Sequence, residues 1–106
     1  MNGFILGILI LLFLHLSLPY NRNYNNNSED VTYTKDAQLI FKNRCSQCHN
    51  QSVPDRNWMN YDTAFKNRHK IKSRLENNTM PPGNNTGMTS DERKTIIKWV
   101  DDGGKK

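Results

Sequence analysis

The sequence is short of the residues that build a core. Hydrophobic residues make up 35% of the 106, but fourteen of them crowd into Met1–Tyr20, and only 11 of the 86 residues that follow are Leu, Ile, Val or Phe. That share, about 13%, lies under the roughly 20% below which chains tend to stay disordered. So small a domain needs a disulfide, a metal, a cofactor or a partner to offset the entropy of ordering its chain. Cysteine is nearly absent as well. The two that occur, Cys45 and Cys48, limit the staple to one disulfide, half of a metal site or one covalently held cofactor. No segment alternates apolar and polar residues as a half-buried strand does. The length excludes a large enzyme, a repeat array and a multi-pass membrane protein.

Charge of either sign is missing from Met1–Tyr20, so the net +5, from 15 basic and 10 acidic residues, belongs wholly to the part beyond it. The uncharged run Phe4–Leu18 would span roughly 22 Å as a helix, and the whole of Met1–Tyr20 about 30 Å, the thickness of a bilayer's hydrocarbon core. A buried helix of a globular domain would need apolar partners that the rest of the chain does not supply. Two further absences disfavour a cleaved secretory signal: no basic residue precedes the run and no small-x-small site follows it. Residues 1–20 are therefore expected to be a single-pass signal anchor, with a cleaved signal peptide as the alternative. Either puts the domain on the outer side of the cytoplasmic membrane or in the periplasm. Arg22, just after the run, pulls against that orientation under the positive-inside rule. Residues 21–32, with four Asn between Asn23 and Asn27, read as a polar linker that cannot bury a face.

Residues 33–106 carry the periodic patterns. Thr34 is expected to cap a first helix whose Ala37, Ile40, Phe41 and Cys45 share a face. A loop with Pro54 follows. Asp62 is expected to cap a second helix from Thr63 to about Glu76, with Ala64, Phe65, Ile71 and Leu75 inward. After the loop Asn77–Gly87, Thr89 and Glu92 form a capping box, and Ile96, Ile97, Trp99 and Val100 line a last helix that Gly103 stops. The fold class predicted is mostly α, about three helices.

The chemistry sits at Cys45-Ser46-Gln47-Cys48-His49. Cys-x-x-Cys-His is the attachment signature of c-type haem. Two residues between the thiols let both add to vinyl groups on one porphyrin edge, and the adjacent imidazole comes to lie beneath the iron. The competing readings are a bare disulfide, a thioredoxin-like redox pair and half of a zinc site. A disulfide leaves His49 unexplained, thioredoxin chemistry needs a βαβ context, and zinc needs more ligands than His15 or His69 provide.

These residues resemble the small single-haem cytochromes c of the mitochondrial and short bacterial electron-carrier type. The resemblance runs over Tyr33–Gly104 and rests on three features. One is the helix with Phe41 leading into Cys45, Cys48 and His49; the second is Met80-Pro81-Pro82-Gly83-Asn84 in a loop; the third is the capped helix ending Lys98–Gly103. It implies one covalent haem c, thioether bonds from Cys45 and Cys48, and iron held by His49 and distally by Met80. It also implies that Phe41 and Trp99 stand at the crossing of the first and last helices. Similar haem domains form C-terminal parts of some membrane-bound oxidases. The stretch from His49 to Met80 is short for the family, and no Gly-Pro pair follows His49; Pro54 is expected to offer the carbonyl that orients the imidazole.

The other methionines and histidine have plainer roles. Met59 is expected to pack and Met88 to act as a hydrophobic staple before the capping box, while His69 sits between charged neighbours. Lys66, Arg68, Lys70, Lys72 and Arg74 form a basic run, with Lys42 and Arg44 near the motif. The run reads as a solvated face or as a means of steering towards acidic redox partner proteins. No nucleic-acid motif accompanies the charge. The expected function is one-electron transfer, not enzymatic catalysis. The alternatives are a haem domain serving a peroxidase or larger oxidase or dehydrogenase complex, and a haem-based gas sensor.

Overall fold

The computed structural model describes residues 29–106. The expected hydrophobic helix 1–20 and the linker up to residue 28 lie outside the described residues. Four α-helices and no strand occur among the described residues. They are α1 (Gln38–Arg44), α2 (Tyr61–Lys66), α3 (Arg68–Glu76) and α4 (Ser90–Asp101), with 3₁₀ turns at Pro54–Arg56 and Pro82–Asn84. None is long and apolar enough to cross a membrane.

A π-helical turn, Tyr33–Ala37, leads into α1, and its cap is Thr32, not Thr34. The Thr32 hydroxyl accepts the Lys35 N–H at 3.2 Å, and the Thr32 N–H donates to the Asp36 carboxylate at 3.0 Å. The wide turn moves the acidic partner from the third position after the cap to the fourth. It also sets Tyr33 inward, 3% exposed, where its hydroxyl donates to the Trp58 carbonyl at 2.8 Å. The orphan N–H groups of Tyr33 and Thr34 find the carbonyls of Lys105 (2.7 Å) and Lys106 (2.9 Å), so the end of the sequence is sewn to this turn.

The second helix expected from the pattern is two. Asn60, not Asp62, caps α2, its side chain accepting the Thr63 N–H at 3.1 Å. Asn67 then interrupts the helical run. Its side-chain amide donates to the Thr63 carbonyl at 2.9 Å, an instance of a polar side chain competing with the backbone ladder. In α4 the capping box forms as expected, with the Thr89 hydroxyl accepting the Glu92 N–H at 3.1 Å and the Glu92 carboxylate accepting the Thr89 N–H at 2.9 Å. The helix closes in a Schellman motif: Gly104 N–H reaches the Trp99 carbonyl and Gly103 N–H that of Val100. Gly103 sits at φ +104°, which favours glycine at this position.

The core is built from aromatic rings where aliphatic residues are scarce. Phe41 and Trp99, both essentially unexposed, meet edge to face with ring centres 5.8 Å apart. Tyr33 lies 6.1 Å from each. Such pairs add about 0.5–1.5 kcal/mol beyond the area they bury. The Trp99 indole N–H is satisfied by the Lys105 carbonyl at 2.9 Å. Ala37, Ala64, Ile96 and Val100 fill the remaining space between the helices.

Candidate functional site

Cys45 ends α1, and the chain then coils tightly. Cys48 and His49 both donate their N–H to the Cys45 carbonyl, at 3.2 and 2.8 Å. This one turn carries both thiols and the imidazole to the same wall of a cavity of about 510 Å³. Cofactor and ligand sites span roughly 300–1,000 Å³. The apolar lining includes Phe41, Trp58, Ile71, Leu75, Pro81 and Ile96. Met80 and Met88 line it too, so residues far apart in sequence meet there.

His49 is held by two contacts. Its Nδ1 lies 3.1 Å from the Arg56 carbonyl, an acceptor, which puts the ring proton on Nδ1 and leaves the Nε2 lone pair free. Its ring stacks on Trp58, with centres 4.8 Å apart and planes 21° from parallel. The expected carbonyl of Pro54 is engaged by the Asn57 N–H at 3.4 Å, and Arg56, at the end of the same 3₁₀ turn, supplies the acceptor instead. Burial holds the imidazole below its usual pKa; the Arg56 carbonyl opposes that shift, and the Arg56 charge adds to it. A neutral ring is the form that binds a metal.

Both cysteines are free thiols, Cys45 half-buried and Cys48 exposed. Burial, then the nearby Glu92 and Cys48, push the Cys45 thiol up to about 11. A thioredoxin-type nucleophile is shifted the other way. Among the described residues, no group of three His, Cys, Asp or Glu side chains comes together as a metal site would require. What the cavity offers is two thiols, one imidazole lone pair and thioethers within apolar walls. That donor set fits a planar apolar macrocycle carrying a soft metal, and fits a hydrated ion poorly.

Met80 reaches the cavity at its edge, 37% exposed. Met88 is not the staple the pattern predicts, because the position it would pair with on α4 is Arg93; it is buried in the cavity wall instead. Met59 packs against the core as expected and does not line the cavity, and neither does the exposed His69.

The basic run is not one face. Lys72 bridges Asp101 at 2.6 Å, and Arg68 lies over the Phe65 ring at 4.0 Å. Only Lys70 and Arg74 of the run line the cavity, where Arg44 and Arg56 join them, against a single carboxylate, Asp55. Arg44 also fixes the neighbouring loop, donating to the Thr86 carbonyl at 2.7 Å and to Glu92 at 3.0 Å. Sequence reasoning placed Arg44 near the motif but missed its hold on Glu92, 48 positions away, and missed Trp58 as part of the site, because the stacking on His49 depends on the path of the intervening loop. Comparison with family models, with curated proteins and with solved structures finds no match for this chain.

Proposed function

We propose that the domain is a monohaem cytochrome c that passes single electrons between redox partners on the outer side of a membrane. The observation that carries this is the environment of His49. An imidazole with its Nδ1–H on the Arg56 carbonyl and its face on Trp58 presents Nε2 to an apolar cavity that both thiols of Cys-x-x-Cys-His border. The contact of Phe41 with Trp99 supports a cytochrome c-type crossing of the first and last helices.

When bound, the haem supplies a one-electron iron couple. Cys45 and Cys48 hold it covalently, His49 ligates through Nε2, and Met80 gives a neutral thioether that favours the reduced metal. Phe41, Ile71, Leu75 and Ile96 keep water from the iron, and Arg56, Lys70 and Arg74 suit the carboxylates that a haem carries. The same cations make acidic partners the fitting ones.

The test is expression in a host with haem-attachment machinery. The expected product keeps one haem through acid–acetone extraction, is low-spin and six-coordinate, and resists carbon monoxide when ferrous. Changing both Cys45 and Cys48 to Ala abolishes the attachment. Met80→Ala lowers the reduction potential, removes the thioether charge-transfer absorption and opens the iron to carbon monoxide. Protein recovered without covalent haem, from a host that matures other c-type cytochromes, overturns the proposal. Ready carbon monoxide binding by the unmodified protein would favour a sensor or peroxidase role over a carrier.

A further inference from the structure

We infer that Arg93 is the positioning residue that keeps Met80 on the iron, by fixing the peptide that carries the thioether; this rests on the haem reading above. Both polar backbone groups of Met80 are held. Its N–H donates to the Arg74 carbonyl at 3.2 Å, and its carbonyl accepts from Arg93 Nη1 at 2.9 Å. The same Nη1 donates to the Leu75 carbonyl at 3.0 Å. One nitrogen from α4 thus ties the last turn of α3 to the ligand's own peptide.

The charge of Arg93 is available for this task. It is half-buried, and among the described residues no carboxylate lies within ion-pair distance of it. Its guanidinium serves two carbonyls, one of them at a helix C-terminus, where a cation is favoured. A clamp on α3 alone would not need it. The Leu75 carbonyl also accepts the Asn78 N–H at 3.3 Å, and the Thr79 N–H already turns back to the Arg74 carbonyl at 3.1 Å. No other donor among the described residues reaches the Met80 carbonyl. What Arg93 adds is therefore the hold on Met80. The exposed side chain at the cavity edge then has one pivot, its own Cα, and a thioether released from iron stays close enough to rebind.

The experiment uses the haem-loaded domain with Arg93→Met, which keeps an aliphatic stem without donors, and Arg93→Lys, which keeps the charge but not the planar fork. Ferrous carbon monoxide affinity is expected to rise about tenfold in Arg93→Met, the equivalent of one charge-assisted bond of roughly 1.4 kcal/mol. Its charge-transfer absorption is expected to vanish at a denaturant concentration that leaves the helical circular dichroism intact, and Arg93→Lys is expected to fall between the two. The inference is overturned if Arg93→Met binds carbon monoxide no better than the parent. It is equally overturned if absorption and helicity shift together, which is what a merely structural role would give. Met80→Ala, run in parallel, separates the levels. If it leaves the charge-transfer absorption in place, the ligand assignment fails and Arg93 with it; if it opens the iron while Arg93→Met does not, only the role of Arg93 falls.

Discussion

His49 has little freedom left in tautomer or in ring orientation, and Trp58 is the reason for the second. Trp58 is 8% exposed and does two jobs, stacking on the imidazole and lending its carbonyl to the Tyr33 hydroxyl. Trp58→Ala is expected to cost about 3–5 kcal/mol of stability. If His49 ligates a haem iron as proposed, the change should also move the acid-induced loss of that ligand to higher pH. The sign follows from burial, which lowers the proton affinity of the ring; exposing the ring lets a proton compete with iron sooner. A pH titration followed by absorbance measures this, and an unchanged midpoint would refute it. That Cys45, Cys48 and His49 share one turn was legible because the motif is local. That Arg56 and not Pro54 orients the ring was not, since it depends on which carbonyl the following Asn57 N–H has already taken.

At the level of elements, the cap of α4 and the loop before it are one device. Glu92 closes the capping box and pairs with Arg44, whose other nitrogen holds Thr86. The Thr89 N–H holds the Glu92 carboxyl below its ordinary value; burial opposes the shift, and Arg44 reinforces it. A carboxylate shifted this way stabilises the fold above its unfolded pKa, near 4.5, and that contribution is lost as pH falls further. Glu92→Gln should therefore flatten stability against pH below that point, and Thr89→Ala should cost about 1 kcal/mol; denaturant melts across the acid range would measure both. This box was readable from Thr89 and Glu92 because its bonds span three residues. The Thr32 cap escaped notice because a π turn spaces Thr32 and Asp36 differently. The break at Asn67 escaped because its side chain, and not its propensity alone, ends α2.

Across the whole molecule, charge is uneven in a way the linear run of Lys and Arg conceals. Lys72 is engaged by Asp101 and Glu76, whereas Lys70 and Arg74 border the cavity. If acidic partners meet the exposed haem edge, steering by these groups is screened over about 8 Å at physiological ionic strength. Changing Lys70 and Arg74 to Gln should slow reduction by a native partner and weaken its salt dependence, while Lys66→Gln should leave both unchanged. Stopped-flow rates over a salt series decide it, and a rate and salt dependence left untouched by the Lys70 and Arg74 changes would return the run to plain solvated surface.

The seam between the two ends of the domain sets an order of events in time. The Lys105 carbonyl receives both the Tyr33 N–H and the Trp99 indole, so the turn that opens α1 is finished by residues synthesised about seventy positions after it. Contacts that enclose so much chain form late. A nascent polypeptide threading out N-terminus first therefore shows Cys45, Cys48 and His49 to its surroundings while the residues that lock the helices are still to come. If a haem is attached as proposed, that interval, built into the topology, is when a maturation enzyme can reach Cys45 before the native packing half-buries it, whereas Cys48 stays exposed throughout.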